Sequence, residues 1–176
     1  MQNINTLKTR NLKSQTEKFA CESFLQASNK ISNIKSDFIR FGNPDLSEPD
    51  CICSNNIAIE VLGVYDNEYQ AEKIWSDVTG NKPRKKFEPK LTTLRNLGDK
   101  IFEKINKLNN GNYSGHIGKI ILVCHLHSPL TETRDVQNFI SEHNPFKVDA
   151  YLEKCFDEIW IIWKDSDPSL QVSQLE

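Results

Sequence analysis

The sequence lacks the features that mark membrane, secreted and disulfide-stabilised proteins. Mean hydropathy is -0.55, and no apolar run approaches the roughly 18 residues needed to cross a bilayer. The opening stretch, MQNINTLKTRNLK, has no apolar segment of the kind that directs secretion. The five cysteines are an odd number without a CxxC pair, which argues against a disulfide framework and for a reducing compartment. We therefore expect a cytoplasmic protein with no membrane partner.

Glycine and net charge are also low, and both exclude whole classes of function. Only seven glycines are present, and none forms a glycine-rich phosphate loop. The net charge of -2 excludes a uniformly basic nucleic-acid coat. The charge is nevertheless unevenly placed, because residues 43–81 carry eight acidic and one basic side chain, and residues 82–107 carry nine basic and three acidic. Such blocks are typical of an acidic cation pocket beside polyanion-binding surfaces, and equally of solvated helix faces.

The length and the apolar content favour one domain. The chain has 176 residues, of which 38% are hydrophobic, including nine Phe and three Trp. A chain of this size supports a single buried core, so we expect one domain over residues 1–176. The segment 166–176 is polar, and we expect it to be frayed.

The spacing of apolar residues predicts alternating helices and strands. Helices are expected over 14–35, 68–79, 91–109, 131–142 and 149–155, and strands over 49–53, 57–63, 119–126 and 158–163. The first helix has an apolar stripe that also includes one acid; its members are Glu17, Ala20, Phe24, Ala27, Ile31 and Ile34. The runs KIILVCHL and EIWIIW are apolar enough for strands covered on both faces. The order predicts an α/β fold whose central sheet has helices on both faces.

Two acids stand inside the apolar strands of the predicted hairpin. The strands flank three polar residues, of which Asn56 suits the left-handed conformation that such a loop needs. If Cys53 pairs with Ile57, Asp50 falls directly opposite Glu60. Two carboxylates this close repel each other, and a divalent cation with hard oxygen ligands, Mg²⁺ or Mn²⁺, relieves the repulsion. The alternative is that either acid caps a strand or pairs with a basic neighbour.

The sequence resembles the PD-(D/E)xK nuclease superfamily, also called restriction-endonuclease-like. The resemblance rests on Pro49-Asp50, the hairpin and Glu60 within IAIEVL, with a helix before them and helix, strand, helix and strand after them. The resemblance implies a three-layer restriction-endonuclease-like core with a mixed central sheet. It also implies a divalent-metal-dependent endonuclease that hydrolyses DNA phosphodiester bonds, in which Asp50 and Glu60 bind Mg²⁺ or Mn²⁺. Glu17 would match the helical acid that some members add, with Glu22 as the alternative.

One motif position departs from the family. Leu62 stands two residues after Glu60, where members usually carry the lysine that positions or activates the attacking water. Lys73 on the following helix is the first candidate to replace it, and Lys104 and Lys107 are the others. The opposing interpretation is a catalytically degenerate nuclease-fold protein that acts as a nucleic-acid-binding or protein-interaction module.

DNA is the partner that the resemblance implies, and two groups of basic side chains are candidates to contact its phosphates. One group lies in a predicted loop and the other on the edge of the long helix: Lys82, Arg84, Lys85 and Lys86, then Lys104 and Lys107. Solvated surface explains both groups equally well. Many such enzymes act as dimers, so a homodimer is considered, although no self-complementary surface can be identified in the sequence.

A zinc-stabilised domain is a third interpretation. Cys51 and Cys53 share one strand face, and His125 and His127 share another, so four zinc ligands are available in principle. Free cysteines buried in apolar strands are common, which favours an ordinary core role for the two thiols.

Overall fold

The computed structural model describes residues 4–31, 35–65, 93–128, 131–142, 156–164 and 170–175. These residues form three α-helices, which are α1 (Ile4–Ile31), α2 (Thr93–Asn109) and α3 (Thr133–Glu142). They also form six strands, which are β1 (Phe38–Phe41), β2 (Cys51–Cys53), β3 (Ile57–Val64), β4 (Lys119–Leu126), β5 (Glu158–Lys164) and β6 (Leu170–Gln174). A short 3₁₀ helix, Pro44–Leu46, lies between β1 and β2.

The six strands form one mixed sheet in the order β1-β2-β3-β4-β5-β6. Strands β1, β2 and β3 are antiparallel to their neighbours along the chain, β3, β4 and β5 run parallel, and β6 is antiparallel to β5. The parallel strands β4 and β5 are buried along almost their whole length, as their continuous apolar sequences predict. The expected α/β fold with a mixed sheet is confirmed.

Helices cover both faces of this sheet. Side chains of β3 alternate, so that Ile59 and Val61 pack with Phe24 of α1, whereas Leu62 and Val64 pack on the opposite face with residues of α2 and α3. Leu97, Ile101 and Ile105, which follow one another at four-residue steps on α2, are fully buried. The central β3 therefore has one face toward α1 and one toward α2, which decides where its polar side chain points.

The hairpin of β2 and β3 has the predicted register. Cys53 lies opposite Ile57 and Cys51 opposite Ile59. Asn55 and Asn56 both have a φ of 57°, in the left-handed region that asparagine tolerates better than most residues. Asp50 directly precedes β2, so the register brings it beside Glu60 of β3.

The first helix differs from its predicted bounds. It begins at Ile4 and ends at Ile31, and Ile31 is 65% exposed rather than part of the inner stripe. The Asn29 side chain near the helix end accepts a hydrogen bond from the Ser36 N–H at 3.2 Å and donates one to the Ser36 carbonyl at 3.1 Å. The following segment then enters β1, a strand that the apolar pattern did not predict.

The expectation of a frayed end at 166–176 is wrong for residues 170–175, and the rest of that segment lies outside the described residues. Strand β6 pairs with β5 from Trp160 to Lys164. Leu175 is buried, and its N–H donates to the Ile159 carbonyl at 2.8 Å. An edge strand needs only one apolar side, and here Leu170 and Val172 pack against the α1 face of the sheet while their neighbours are polar.

Several predicted segments lie outside the described residues. These are the helices expected over 68–79 and 149–155 and the basic loop over 82–90. In the part of the chain that is described, no helix is both long and apolar enough to cross a membrane.

Candidate functional site

An open cleft of about 630 Å³ lies where β3, α1, α2 and the turn after α2 meet. Its lining includes five of the side chains that the sequence singles out, namely Glu17, Asp50, Glu60, Lys104 and Lys107. These residues come from four separate elements, and the hairpin register together with the packing of α1 and α2 brings them together.

Glu60 is the most deeply buried acid of the cleft, with 5% of its surface exposed. Its Oε2 accepts a hydrogen bond from the Asp50 backbone N–H at 3.2 Å. Its Oε1 accepts from the Tyr113 hydroxyl at 2.9 Å and forms an ion pair with the Lys104 ammonium. A carboxylate in an apolar sheet is costly unless it is paired and hydrogen-bonded, and Glu60 meets both conditions.

Lys104 reaches Glu60 from the buried side of α2. It stands between Ile101 and Ile105, both fully buried, and its own side chain is only 16% exposed. The motif position Leu62 is buried in the apolar layer under α2, so it contributes no polar group to the cleft. The lysine beside the buried motif acid therefore comes from a helix 44 residues further along the chain.

The carboxylate of Asp50 lies near the carboxylates of Glu60 and Glu17. Its Oδ2 accepts from the Val61 N–H at 2.9 Å. Burial, followed by the charges of Glu60 and Glu17, raises the pKa of Asp50 to about 7, although Lys104 and the Val61 N–H oppose the shift. Burial and the neighbouring carboxylates thus disfavour the ionised form of Asp50, and a divalent cation held between these acids would relieve that cost.

Glu17 is the helical acid that borders the cleft. It forms an ion pair with Lys13 one turn earlier, with Nζ and Oε1 3.3 Å apart. Burial raises the pKa of Glu17 and the Glu60 charge raises it further, against the lowering effect of Lys13. The alternative, Glu22, pairs with Lys18 at 3.6 Å, is more than half exposed and does not line the cleft.

Among the other polar residues that line the cleft, Tyr113 and Glu48 were not predicted. Tyr113 lies in the turn after α2 and is buried, and burial together with the Glu60 charge raises the pKa of its hydroxyl, which keeps it a donor. Glu48 is bound by both guanidinium nitrogens of Arg40 at 2.7 Å, and this pairing lowers the pKa of Glu48 to about 2. The sequence signal for Tyr113 was a single large aromatic in the small polar stretch NNGNYSG.

The donor set suits a hard cation that takes only part of its coordination shell from the protein. Mg²⁺ is commonly bound by one or two carboxylates, with waters and phosphate oxygens completing its shell, and Asp50 with Glu60 supplies that number. Within the described ranges, no three His, Cys, Asp or Glu side chains are grouped closely enough to hold a metal ion by themselves. The carboxylate pair therefore fits Mg²⁺ or Mn²⁺ shared with a phosphate, and does not form a closed protein cage.

The four residues considered for zinc do not converge. Cys53 lies opposite Ile57 at the start of β3, whereas His125 lies opposite Gly63 near its end. The thiols pack instead under α1, where the Cys21 and Cys53 sulfurs are 3.7 Å apart. The zinc interpretation is wrong for these four residues.

The remaining candidates divide between the cleft rim and segments outside the description. Lys107 lines the cleft and is exposed. Lys73 and the loop cations lie outside the described residues; the loop cations are Lys82, Arg84, Lys85 and Lys86. Of the three lysines considered as replacements at the motif, the described part of the chain therefore places Lys104 in contact with Glu60.

Comparison with family models, curated proteins and solved structures finds no match for this chain. Function is therefore inferred from the residues and contacts of the cleft.

Proposed function

We propose that the chain is a divalent-metal-dependent endonuclease that hydrolyses DNA phosphodiester bonds. The observation that carries the proposal is the pair Asp50 and Glu60, two acids brought together by adjacent antiparallel strands in a cleft that also holds Lys104. The element order, with one helix before the hairpin and helices on both faces of a mixed sheet, supports the restriction-endonuclease-like core that the resemblance implies.

Each residue of the cleft has a distinct role in this proposal. Asp50 and Glu60 hold Mg²⁺ or Mn²⁺, which when bound supplies a Lewis acid for the phosphodiester and an activated water. Tyr113 and the Asp50 N–H orient the Glu60 carboxylate by hydrogen bonds to its two oxygens. Glu17 adds to the cleft a third carboxylate, which comes from α1 and pairs with Lys13.

Lys104 takes the part that the motif lysine has elsewhere in the superfamily. Its ammonium contacts Glu60 and lines the same cleft as Asp50, so it is placed to donate to a phosphate oxygen or to a water beside these acids. A lysine fixed by a buried partner loses little side-chain entropy when substrate enters. Lys73 stays a prediction, since it lies outside the described residues.

DNA is expected to meet the cleft through its phosphates. Lys13 and Lys107 both line the opening and are exposed, and the predicted loop cations at 82–86 would extend the contact. Binding through phosphates depends steeply on salt and little on sequence. We also propose a homodimer, which would allow both DNA strands to be cut. Sedimentation analysis of the purified protein tests this by measuring its mass in solution.

The test is cleavage of supercoiled plasmid and of single-stranded oligonucleotide with Mg²⁺ or Mn²⁺. We expect Asp50→Asn and Glu60→Gln to reduce the rate by roughly a hundredfold or more, because each removes one of two charged ligands. Glu22→Gln is the matched control, since that acid is on the same helix as Glu17 but outside the cleft. Cleavage by folded Glu60→Gln protein at the wild-type rate would falsify the proposal.

The second candidate is a catalytically degenerate nuclease-fold module that binds nucleic acid or protein. Two observations favour it, namely the ion pair that already neutralises Glu60 and the buried Leu62 at the motif position. It predicts salt-sensitive DNA binding or a protein partner with no Mg²⁺- or Mn²⁺-dependent cleavage. The same plasmid assay, run beside a binding measurement, separates the two candidates.

A further inference from the structure

A ladder of four rings runs from α1 across the end of β4 to the residue after β3. The ring centroids of Phe19 and His125 are 6.0 Å apart, and those of His125 and His127 are 3.9 Å apart. His127 then stacks on Tyr65 with 4.6 Å between centroids and 8° between ring planes. The last two rings are therefore held parallel at one end of the ladder.

A smaller chamber of about 190 Å³ opens beside these last two rings. Four of its lining residues also line the main cleft, and these are Lys13, Glu17, Val61 and Gly63. Tyr65 and His127 line the chamber but not the main cleft. The stacked rings thus stand next to the acids, beyond a wall that both spaces share.

The surface that the ladder presents is aromatic and uncharged at neutral pH. Burial lowers the pKa of His127 to about 4, and burial with the neighbouring His127 lowers the pKa of His125 to about 3. Neutral rings attract the flat face of another aromatic group, whereas they offer no charge to a phosphate. The ring end of the chamber is therefore complementary to a base, whereas the wall shared with the cleft carries the Lys13–Glu17 ion pair.

Gly63 makes room for this arrangement. A β-carbon at this position would lie 3.2 Å from the Tyr65 ring, which is closer than side chains normally pack. The missing side chain lets the Tyr65 ring lie against the end of the strand.

We propose that the parallel Tyr65 and His127 rings are a stacking platform for one unpaired nucleobase of the substrate strand. The platform rests on the proposed nuclease function and adds to it a substrate class, namely DNA with an unpaired base beside the cleaved phosphate. Lys13 lies on the wall shared by the two spaces. In this proposal it contacts the phosphate between the stacked nucleotide and the nucleotide whose phosphodiester lies at Asp50 and Glu60.

The experiment measures binding of a single-stranded oligonucleotide that carries 2-aminopurine, with the full chain in EDTA so that cleavage is suppressed. We expect saturable quenching by the wild type, because stacking quenches this base. Tyr65→Leu is expected to weaken binding about tenfold and to abolish quenching, and Tyr65→Phe to stay within about twofold. Gly63→Ala keeps every ring but displaces one, so it should give an intermediate loss.

Phe102→Leu is the matched control, since Phe102 is a partly exposed aromatic on α2 that does not line either space. Quenching by Tyr65→Leu equal to the wild type, or no saturable quenching by the wild type, overturns the platform. Deoxyadenosine monophosphate is added as a competitor. If it displaces the oligonucleotide at equal concentration, the platform binds free nucleotides, and the proposal of a nucleic-acid strand is overturned. Quenching that persists in Glu60→Gln without any cleavage by the wild type supports the platform and removes the nuclease proposal.

Discussion

Replacing Lys104 with methionine leaves Glu60 buried without its cation. The two side chains are only 16% and 6% exposed, so water entering the cleft compensates the Glu60 charge less well than the ammonium does. Removing one partner of a buried ion pair costs about 3–5 kcal/mol in the free energy of unfolding, because the other charge stays uncompensated. Two donors to Glu60 remain, the Asp50 N–H and the Tyr113 hydroxyl, so we expect the lower end, about 3 kcal/mol.

The assay is urea unfolding at pH 8 for the wild type, Lys104→Met, Glu60→Gln and the double variant. Glutamine keeps an acceptor oxygen without a charge, so the double variant should be more stable than the sum of the single losses implies. We expect a coupling of about 2 kcal/mol between the two positions. Lys107→Met is the control, since this exposed lysine forms no ion pair within the described part of the chain and should change stability by less than about 0.5 kcal/mol.

Two results would refute this reasoning. One is a Lys104→Met protein within about 0.5 kcal/mol of the wild type, which would mean that solvent reaches Glu60. The other is additive losses in the double variant, which would mean that the two side chains do not interact in the folded chain.

Three further predictions follow from the cleft. Folding raises the pKa of Asp50, so the contribution of its protonated carboxyl to stability is present below about pH 4 and lost as pH rises toward 7. In urea titrations, Asp50→Asn should therefore be about 1–3 kcal/mol more stable than the wild type at pH 8 and equal to it near pH 4. Tyr113→Phe should destabilise the chain by about 1–2 kcal/mol and slow cleavage, because Glu60 loses a hydrogen-bond donor, and unchanged values for both would contradict this role. Addition of Mg²⁺ should raise the melting temperature of the wild type but not that of the double variant Asp50→Asn/Glu60→Gln, and an equal rise in both proteins would place the ion elsewhere.

The hairpin shows what local sequence can predict. A three-residue loop and an asparagine suited to positive φ predict the pairing of Cys53 with Ile57, and the structure has it. The neighbourhood of Asp50 and Glu60 follows from that register. The buried strands β4 and β5 were equally predictable, because strands covered on both faces are continuously apolar.

Edge strands and distant contacts were not predictable in this way. Strands β1 and β6 are short, lie at the two edges of the sheet and bury only part of their surface, so their apolar signal resembles that of a loop. The contacts of Glu60 with Lys104 and Tyr113 span 44 and 53 residues. The spacing of apolar residues predicts the buried face of α2. Which lysine contacts Glu60 depends on how that helix packs on β3, and the spacing does not predict this.

The proposed nuclease function depends most on a divalent cation shared by Asp50 and Glu60. A crystal structure of the protein soaked with Mn²⁺, with anomalous scattering measured at the manganese edge, tests this directly. We expect one anomalous peak within coordination distance of both carboxylates, with the Lys104 ammonium beside it. A map with no peak at these two acids and with the Lys104–Glu60 ion pair intact would contradict the metal-dependent nuclease and favour the degenerate module.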